Sequence, residues 1–546
     1  MKMWWTSAPV CLVPLLLVQA ARAEIYTSLT CMSNLFSFDK MVGEALPLMP
    51  EFTPEIEGYT ESYSRVAADR MRWGAHELDL TLTGNPLHIF ALVKRLVLFW
   101  PAISREFHSI SNAKTCEDFS DHCQRWAEAG ECKINTVYMK INCRSSCHLC
   151  PPPELLAIVE RVREAEKSTL LPTGDDLRGT AIAIARLRRI YRLAITDLVD
   201  GRLLDAVTSA RLTIYDCLMI ADESFKAKDF TSAWLWSRYA WTATTHPEMK
   251  AYVSRLMAAV SKEHDDTWNG ETDHFPARLS EGQSQVPHDI TYDRLCRGEH
   301  FMSEEEGTGL RCRVSAMGQP HLVLQPVKYE QLHFDPEMYL FYDVLSDSEI
   351  QAIKDSALSK LFRSGTLAPE VYSDIRVSQT AWLTNASHPL LPGICRRISA
   401  ITGLNVFEGP DGSRAGEDLQ VLSYGVGGHY IYHVDVLFKN LPEDQWHETT
   451  AGAHVIQDGD RMATWMFYLS DVERGGRTAF PKAGISVPPV KGAAVMWFNL
   501  KKNGDVNPRA EHGGCPVLLG HKWVANKWIR EHANFLKRPC SIQPFE

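Results

Sequence analysis

The residues best suited to chemistry are a His-x-Asp pair, His433 and Asp435, and a further imidazole at His512. On a strand, side chains at i and i+2 point to the same face, so the imidazole and carboxylate of this pair can meet one metal ion. His512 would complete a two-His-one-carboxylate set, the donor combination that holds iron(II) on one face and leaves positions open for a co-substrate and oxygen. The spacing alone is cheap, since His264-Asp265-Asp266 and His333-Phe334-Asp335 contain it too. His264 lies in a polar charged run and His333 lies shortly before Pro336; both read as surface residues. The surroundings of His433 are different. Tyr424-Gly425-Val426-Gly427-Gly428 permits a tight turn just before it, and Lys522 lies ten residues after His512 on an apolar strand. A lysine in such a strand needs an anion, and the distal carboxylate of 2-oxoglutarate would supply one.

Those side chains need strands to carry them. After Tyr292 the sequence turns to short β-rich runs, among them 419–424, 464–470, 491–500 and 522–530, separated by Gly and Asp. This pattern predicts an antiparallel sandwich or barrel, with helices such as 348–362 packed outside. Upstream the period is helical. Leu87, Phe90, Val93, Val97 and Trp100 fall three or four residues apart in an amphipathic helix over 86–107. A second is predicted over 177–199, with Leu187, Ile190, Tyr191, Ala194 and Leu198 on one face and Arg186, Arg188, Arg189 and Arg192 mostly on the other. From 203 to 245 two helices with aromatics Trp234, Trp236, Tyr239 and Trp241 resemble a tetratricopeptide-type pair, and 263–288 reads as a polar linker.

The 546 residues call for several domains, and 45% apolar with 23% charged residues are proportions of folded globular units. A net charge of −10 offers no basic footprint for nucleic acid. Lys2, the apolar run Val10 to Val18 and Ala21-Arg22-Ala23 form a secretory signal pattern over 1–23, and no later run reaches spanning length. The 14 cysteines suit an oxidising compartment, and Asn385-Ala386-Ser387 is a glycosylation acceptor usable there. Six cysteines fall between Cys116 and Cys150, closed off by Pro151-Pro152-Pro153, in a segment too short to fold without staples. A zinc site using Cys147 and Cys150 with His148 or His122 is the disfavoured alternative to three disulfides, because no second close cysteine pair is present.

The spacing of Cys116, Cys123, Cys132, Cys143, Cys147 and Cys150, with Asp118, Trp126, Gly130 and Met139 between them, resembles the ShK toxin-like domain. That resemblance implies the pairs Cys116–Cys150, Cys123–Cys143 and Cys132–Cys147. Where toxin members carry a pore-plugging Lys-Tyr pair this chain has Val137 and Tyr138, so a spacer or protein-contact role is expected.

A second resemblance covers about 290–546. Tyr424-Gly-Val-Gly-Gly, His433-x-Asp435, Ala463-Thr-Trp-Met-Phe-Tyr-Leu-Ser-Asp471, Gly475-Gly476-x-Thr478-x-Phe480-Pro481, His512-x-x-Cys515-Pro516-Val517 and Lys522-Trp523-Val-x-Asn526-Lys-Trp528 resemble the catalytic domain of collagen prolyl 4-hydroxylase α subunits. It implies iron(II) on His433, Asp435 and His512, 2-oxoglutarate gripped by Lys522 and lined by Tyr424, Thr478 and Trp528, and Tyr430 facing the peptide proline. It also implies disulfides Cys296–Cys312 and Cys515–Cys540, leaving Cys31, Cys217 and Cys395 as buried small hydrophobes.

The implied activity is that of a procollagen-proline 4-dioxygenase, converting 2-oxoglutarate to succinate while C4 of a peptidyl proline is hydroxylated, with ascorbate as reductant. The implied setting is the endoplasmic reticulum lumen. There a protein disulfide isomerase β subunit would carry the retention signal that this C-terminus does not show, and the N-terminal helices would self-associate. The expected chain is an α+β multidomain protein. It comprises a signal peptide (1–23), a helical dimerisation region in two parts (24–112 and 151–200) interrupted by the ShK-like module (113–150), a TPR-like peptide-binding region with linker (203–288), and a double-stranded β-helix (jelly-roll) dioxygenase domain (290–546). No aromatic second helix pair is evident after Thr245, which keeps hydroxylation of non-collagen secreted peptides open. A non-catalytic extracellular binding protein using the ShK-like module is the third reading.

Overall fold

Amphipathic helices build the first half of the chain. In the computed structural model the described residues are 25–49, 53–73, 78–112, 116–267, 291–364, 376–407, 414–439 and 457–543; the leader expected at 1–23 and most of the linker at 263–288 lie outside them. Helix Pro86–Leu98 starts at Asn85, whose side chain accepts the N–H groups of Leu87 and His88, with Pro86 in the first turn where its missing donor costs nothing. It buries Leu87, Phe90 and Val93. The single helix expected over 86–107 is two, Pro86–Leu98 and Trp100–Asn112, bent by 54°. Pro101 is the reason: inside a helix it would lose a hydrogen bond and collide with the preceding turn, so it occupies the first turn of a new one. Asp39 receives buried Arg95 at 2.8 and 3.1 Å and the Tyr59 hydroxyl at 2.7 Å, which ties helices Leu29–Ala45, Pro54–Trp73 and Pro86–Leu98 together.

Helix Gly174–Tyr191 begins at a reciprocal cap between Thr173 and Asp176 and ends where Arg192 turns left-handed, φ 53°. The helix expected over 177–199 is therefore shorter, with Ile195–Val199 a separate turn. In between, 116–150 folds around the cystines Cys116–Cys150, Cys123–Cys143 and Cys132–Cys147, the pairing the resemblance implies. Helices Ile214–Lys226 and Phe230–Ala243 form the expected pair. A third, Pro247–Thr267, runs into the stretch read as linker, because Val260 buries against Ala233 and Trp234.

Strands dominate from Cys312 onward. Nine form one antiparallel sheet and five form a smaller one, in which strand His429–His433 lies next to His512–Gly514. Strand Arg461–Tyr468 sits inside the large sheet between Ala494–Phe498 and Lys522–Arg530, and its alternation sorts the two faces. Trp465 and Phe467 pack outward under helices Asp347–Leu358 and Leu391–Thr402, while Met466 and Tyr468 share a core with Phe480, Ile485 and Val487 of the small sheet. The α+β architecture, a helical body, a disulfide insert and a strand-rich C-terminal domain, is the expected one. Among the described residues no single helix is long and apolar enough to cross a membrane.

Three expectations change. His333 is not a surface residue: the alternation of strand Val327–Phe334 turns it inward to 2% exposure, and its Nδ1 accepts the Asp335 N–H. Cys296 pairs with Cys515, replacing the expected Cys296–Cys312 and Cys515–Cys540. Helix Thr291–Cys296 lies against strand Thr478–Phe480, which brings the Cα atoms of Cys296 and Cys515 to 5.4 Å, within bridging range. Cys312, on the edge strand Cys312–Ser315, and Cys540 are both exposed, while Cys31, Cys217 and Cys395 are buried as expected.

Candidate metal and 2-oxoglutarate site

The glycine turn does local work. Gly428 donates to the Gly425 carbonyl at 2.9 Å and Gly427 sits at φ +72°, after which the chain enters strand His429–His433. Antiparallel register then places His433 directly opposite His512. The strand ends at His433, yet Asp435, two residues on, still faces the same side. His433 Nε2 lies 3.6 Å from Asp435 Oδ1 and His512 Nε2 lies 3.7 Å from Oδ2. One donor atom from each of the three falls within 4.8 Å of the others, the one such group among the described residues. The alternative His-x-Asp pairs form no such group: His264 packs its ring against Phe230, and His333 faces Arg509.

Both imidazoles are oriented the same way. Nδ1 of His433 meets the Ile431 carbonyl at 2.9 Å and Nδ1 of His512 meets the Ala510 carbonyl at 3.0 Å. With those nitrogens carrying the protons, each Nε2 lone pair faces the carboxylate, which is how histidines are held for a metal. Burial alone would raise the Asp435 carboxyl, but the attraction of the facing His512 ring in its protonated form, with His433 beside it, outweighs that and holds the carboxyl far below the ordinary carboxylate range. Burial pushes His512 down to about 4, so its ring is neutral and available as a ligand at physiological pH. Two imidazole nitrogens and an ionised carboxylate oxygen fit iron(II).

At the other end of the same cavity, of about 300 Å³, Lys522 is 3% exposed and pairs in register with Tyr424. Its Nζ is 3.5 Å from Thr478 Oγ1, which is also 2.9 Å from the Tyr468 hydroxyl, and the Tyr424 and Tyr468 rings stand 5.7 and 5.8 Å away. Burial pushes this amine down to about 7. Trp528 lines the cavity on the Asp435 side, with the Arg461 guanidinium 3.5 Å over its ring. Tyr430 stacks on His433 at 3.7 Å, and the Arg376 guanidinium lies 4.7 Å from the centre of the Tyr430 ring. Trp497 and Phe480 close around His512 at 4.5 and 5.5 Å. Asn385, the expected glycosylation acceptor, is exposed in a turn after strand Gln379–Leu383.

Several residues that shape this cavity escape sequence reasoning. Thr464 donates to Asp435 Oδ2 at 2.6 Å, and Asn499 donates to Thr464 at 2.9 Å, a fully buried relay. Arg461, gripped by both Glu417 oxygens, donates to the Asp435 carbonyl at 3.2 Å. Asp460 accepts the N–H groups of Leu437, Phe438, Lys439 and Arg461, fixing the chain just past Asp435. The available signal was polarity inside an apolar run, Thr464 amid Met-Ala-Thr-Trp-Met-Phe.

Residues 419–530 match the 2OG-Fe(II) oxygenase superfamily, and residues 115–150 match the ShK domain-like family. The chain is 27% identical to a Caenorhabditis elegans prolyl 4-hydroxylase subunit alpha-1, over 96% of this chain and 91% of that protein. With the Rattus norvegicus subunit alpha-1 it shares 31% identity over 69% of this chain and 77% of the relative. Among solved structures, a viral collagen prolyl hydroxylase from Paramecium Bursaria Chlorella virus-1, in complex with 2OG, is 24% identical with a TM-score of 0.26, covering 35% of this chain and 95% of that one.

Proposed function

Given that the chain belongs to the prolyl 4-hydroxylase alpha-subunit family, we propose that it hydroxylates C4 of proline in collagen-like peptides within the endoplasmic reticulum lumen, using iron(II), 2-oxoglutarate, oxygen and ascorbate. The observation that carries this reading is the convergence of two oriented imidazoles and a carboxylate beside a buried lysine, inside one cavity. Bound iron(II) supplies the oxygen activation that attack on an inert C–H bond requires and that no side chain provides. His433, Asp435 and His512 are its ligands. Lys522 takes the distal carboxylate of 2-oxoglutarate as a charge-assisted hydrogen bond, with the Thr478 hydroxyl beside it and the Tyr424 ring as a wall. Trp528 walls the cavity below Asp435, and Trp497 with Phe480 keeps water from His512. Tyr430, packed on His433 and lining the cavity, is the side chain that would meet the peptide proline.

The segment 203–267 would hold the rest of the peptide. Its exposed Tyr215, Trp241 and Tyr252 suit a proline-rich chain, whose stiff extended form docks on aromatic faces at low entropy cost. A protein disulfide isomerase β subunit and self-association through the N-terminal helices complete the assembly, in keeping with relatives named as alpha subunits. The test is succinate release by the full chain, with and without protein disulfide isomerase, iron(II), ascorbate and (Pro-Pro-Gly) peptides. Release should match hydroxyproline formed and vanish in His512→Ala. Turnover of short non-collagen proline peptides alone would reassign the substrate, and no turnover of any peptide by iron-loaded protein would remove the catalytic reading.

A further inference from the structure

The helical body does not stand apart from the strand domain. Val426, Leu518 and Leu519 belong to the hydrophobic core of the helices. Each lies in a segment that leads into or out of a strand bearing a site residue. The Gly425–Gly428 turn, which opens the strand of His433, is pressed from two sides. A Cβ on Gly425 would meet the Thr27 carbonyl oxygen at 2.4 Å, and one on Gly427 would meet Ala183 Cβ at 2.9 Å. Arg186, one helical turn after Ala183, reaches Nδ1 of His429 at 3.2 Å. At the exit from the His512 strand, the Tyr191 hydroxyl donates to the Pro516 carbonyl, which also accepts the Gly476 N–H at 3.1 Å. At the entry to the Lys522 strand, the Gly520 N–H donates to the Gly84 carbonyl at 2.9 Å, and His521 Nε2 lies 3.0 Å from Thr83 Oγ1.

We propose that the helical body is a working part of the 2-oxoglutarate site: helix Gly174–Tyr191, Thr27 and the Thr83–Gly84 corner seat the backbone on which His433, His512 and Lys522 are carried, so that docking of the helices and 2-oxoglutarate binding are coupled. This rests on the reading of the cavity as a 2-oxoglutarate site. Ala183 and Tyr191 are positioning residues, since neither lines the cavity. The geometry supports coupling because the contacts reach all three strand junctions at once. A shift of the helix by the width of a methyl group must move Gly425 and Gly427, which have no side chain to give way. Coupling is reciprocal: if docked helices favour the binding geometry, then ligand must favour docking by the same factor.

The experiment measures 2-oxoglutarate affinity calorimetrically on the full chain loaded with manganese(II), for the unmodified protein, Tyr191→Phe, Ala183→Leu and the surface control Arg178→Ala. Tyr191→Phe removes one hydroxyl from a buried hydrogen bond and should weaken 2-oxoglutarate roughly three- to tenfold. Ala183→Leu overpacks the turn and should weaken it by roughly tenfold or more. Arg178→Ala, whose side chain is exposed, should bind as the unmodified chain does. Hydrogen exchange supplies the reciprocal readout: manganese(II) with 2-oxoglutarate should slow exchange along Gly174–Tyr191 and at Gly520, more than manganese(II) alone. Tyr191→Phe folded, melting cooperatively and binding with unchanged affinity would overturn the coupling, as would helix exchange indifferent to 2-oxoglutarate. Failure of the unmodified, metal-loaded chain to bind 2-oxoglutarate at all would overturn the reading of the cavity, and the coupling with it.

Discussion

Replacing Lys522 by Met keeps an unbranched side chain, one atom shorter, and removes its charge, which exposes what that charge costs and what it does. An amine held at about 7 instead of its ordinary 10.5 reflects about 5 kcal/mol of unfavourable burial. The sign follows from where the proton sits. The unfolded chain keeps this proton to pH 10 or so, whereas the ligand-free folded chain releases it near 7, so between those values the unfolded state binds more protons. Stability should therefore rise with pH across that window, by up to about 1.4 kcal/mol per unit, and below 7 the whole cost is present. Lys522→Met should lack that slope and be the more stable protein at pH 6, by a few kcal/mol. Binding reverses the preference, because the carboxylate of 2-oxoglutarate requires the ammonium. At pH 8 the unmodified chain should take up close to one proton per 2-oxoglutarate bound, at pH 7 about half, and at pH 6 about a tenth. Calorimetric titrations in two buffers with different heats of ionisation read that number directly. Lys522→Met should bind 2-oxoglutarate roughly a hundredfold or more weakly. Identical binding heats in both buffers at pH 8 would refute the assignment of Lys522 as the anion's partner.

Two further predictions concern residues that stand behind the site and not among its metal or 2-oxoglutarate contacts. Thr464→Val removes the donor to Asp435 Oδ2 and leaves Asn499 facing a methyl group, so manganese(II) or cobalt(II) affinity should fall roughly 10- to 100-fold, while Thr464→Ser should retain it; equal affinities for Val and Ser variants would show that the relay does not orient the carboxylate. Peptide mapping without reduction should recover Cys296 linked to Cys515 with Cys312 and Cys540 open to alkylation, and Cys296→Ser should cost about 2–5 kcal/mol in a denaturant titration; recovery of Cys515 joined to Cys540 would overturn the pairing.

The ligand side chains are legible in the sequence because each stands beside a local signal: a glycine turn before His433, an acid two residues on, a lysine in an otherwise apolar run. Helical periodicity is equally local, so the helices of the first half can be read, but their ends depend on Pro101 and on the left-handed Arg192, which periodicity does not weigh. Thr464 could not be read, since a hydroxyl in an apolar strand gains meaning only when the register sets it between Trp497 and Trp528 and the fold aims it at Asp435. The same holds for Cys296. Its nearest cysteine in sequence is Cys312, yet that strand leads away to the sheet edge, and the partner lies 219 residues on. Contacts between the helical body and the strand domain are the least legible of all, because many are made by backbone groups and small residues such as Gly84 and Ala183, whose partners lie hundreds of residues away.

The two ends of the cavity are built on opposite principles. Asp435 is over-supplied: two imidazoles face it, Thr464 donates to it and Arg461 holds its carbonyl, so its charge and direction are set before any metal arrives. Lys522 is under-supplied, its ammonium meeting only the Thr478 hydroxyl and aromatic faces, with no carboxylate in ion-pair distance among the described residues. An over-supplied ligand set costs little to keep assembled, whereas a buried cation without an anion remains a liability until one binds. The metal end should accordingly keep its geometry through the catalytic cycle, and the larger share of ligand-induced stabilisation should come from 2-oxoglutarate, growing with its concentration as binding to the folded state alone requires. A melting temperature that responds to metal and not to 2-oxoglutarate would mean that Lys522 already has its counter-charge.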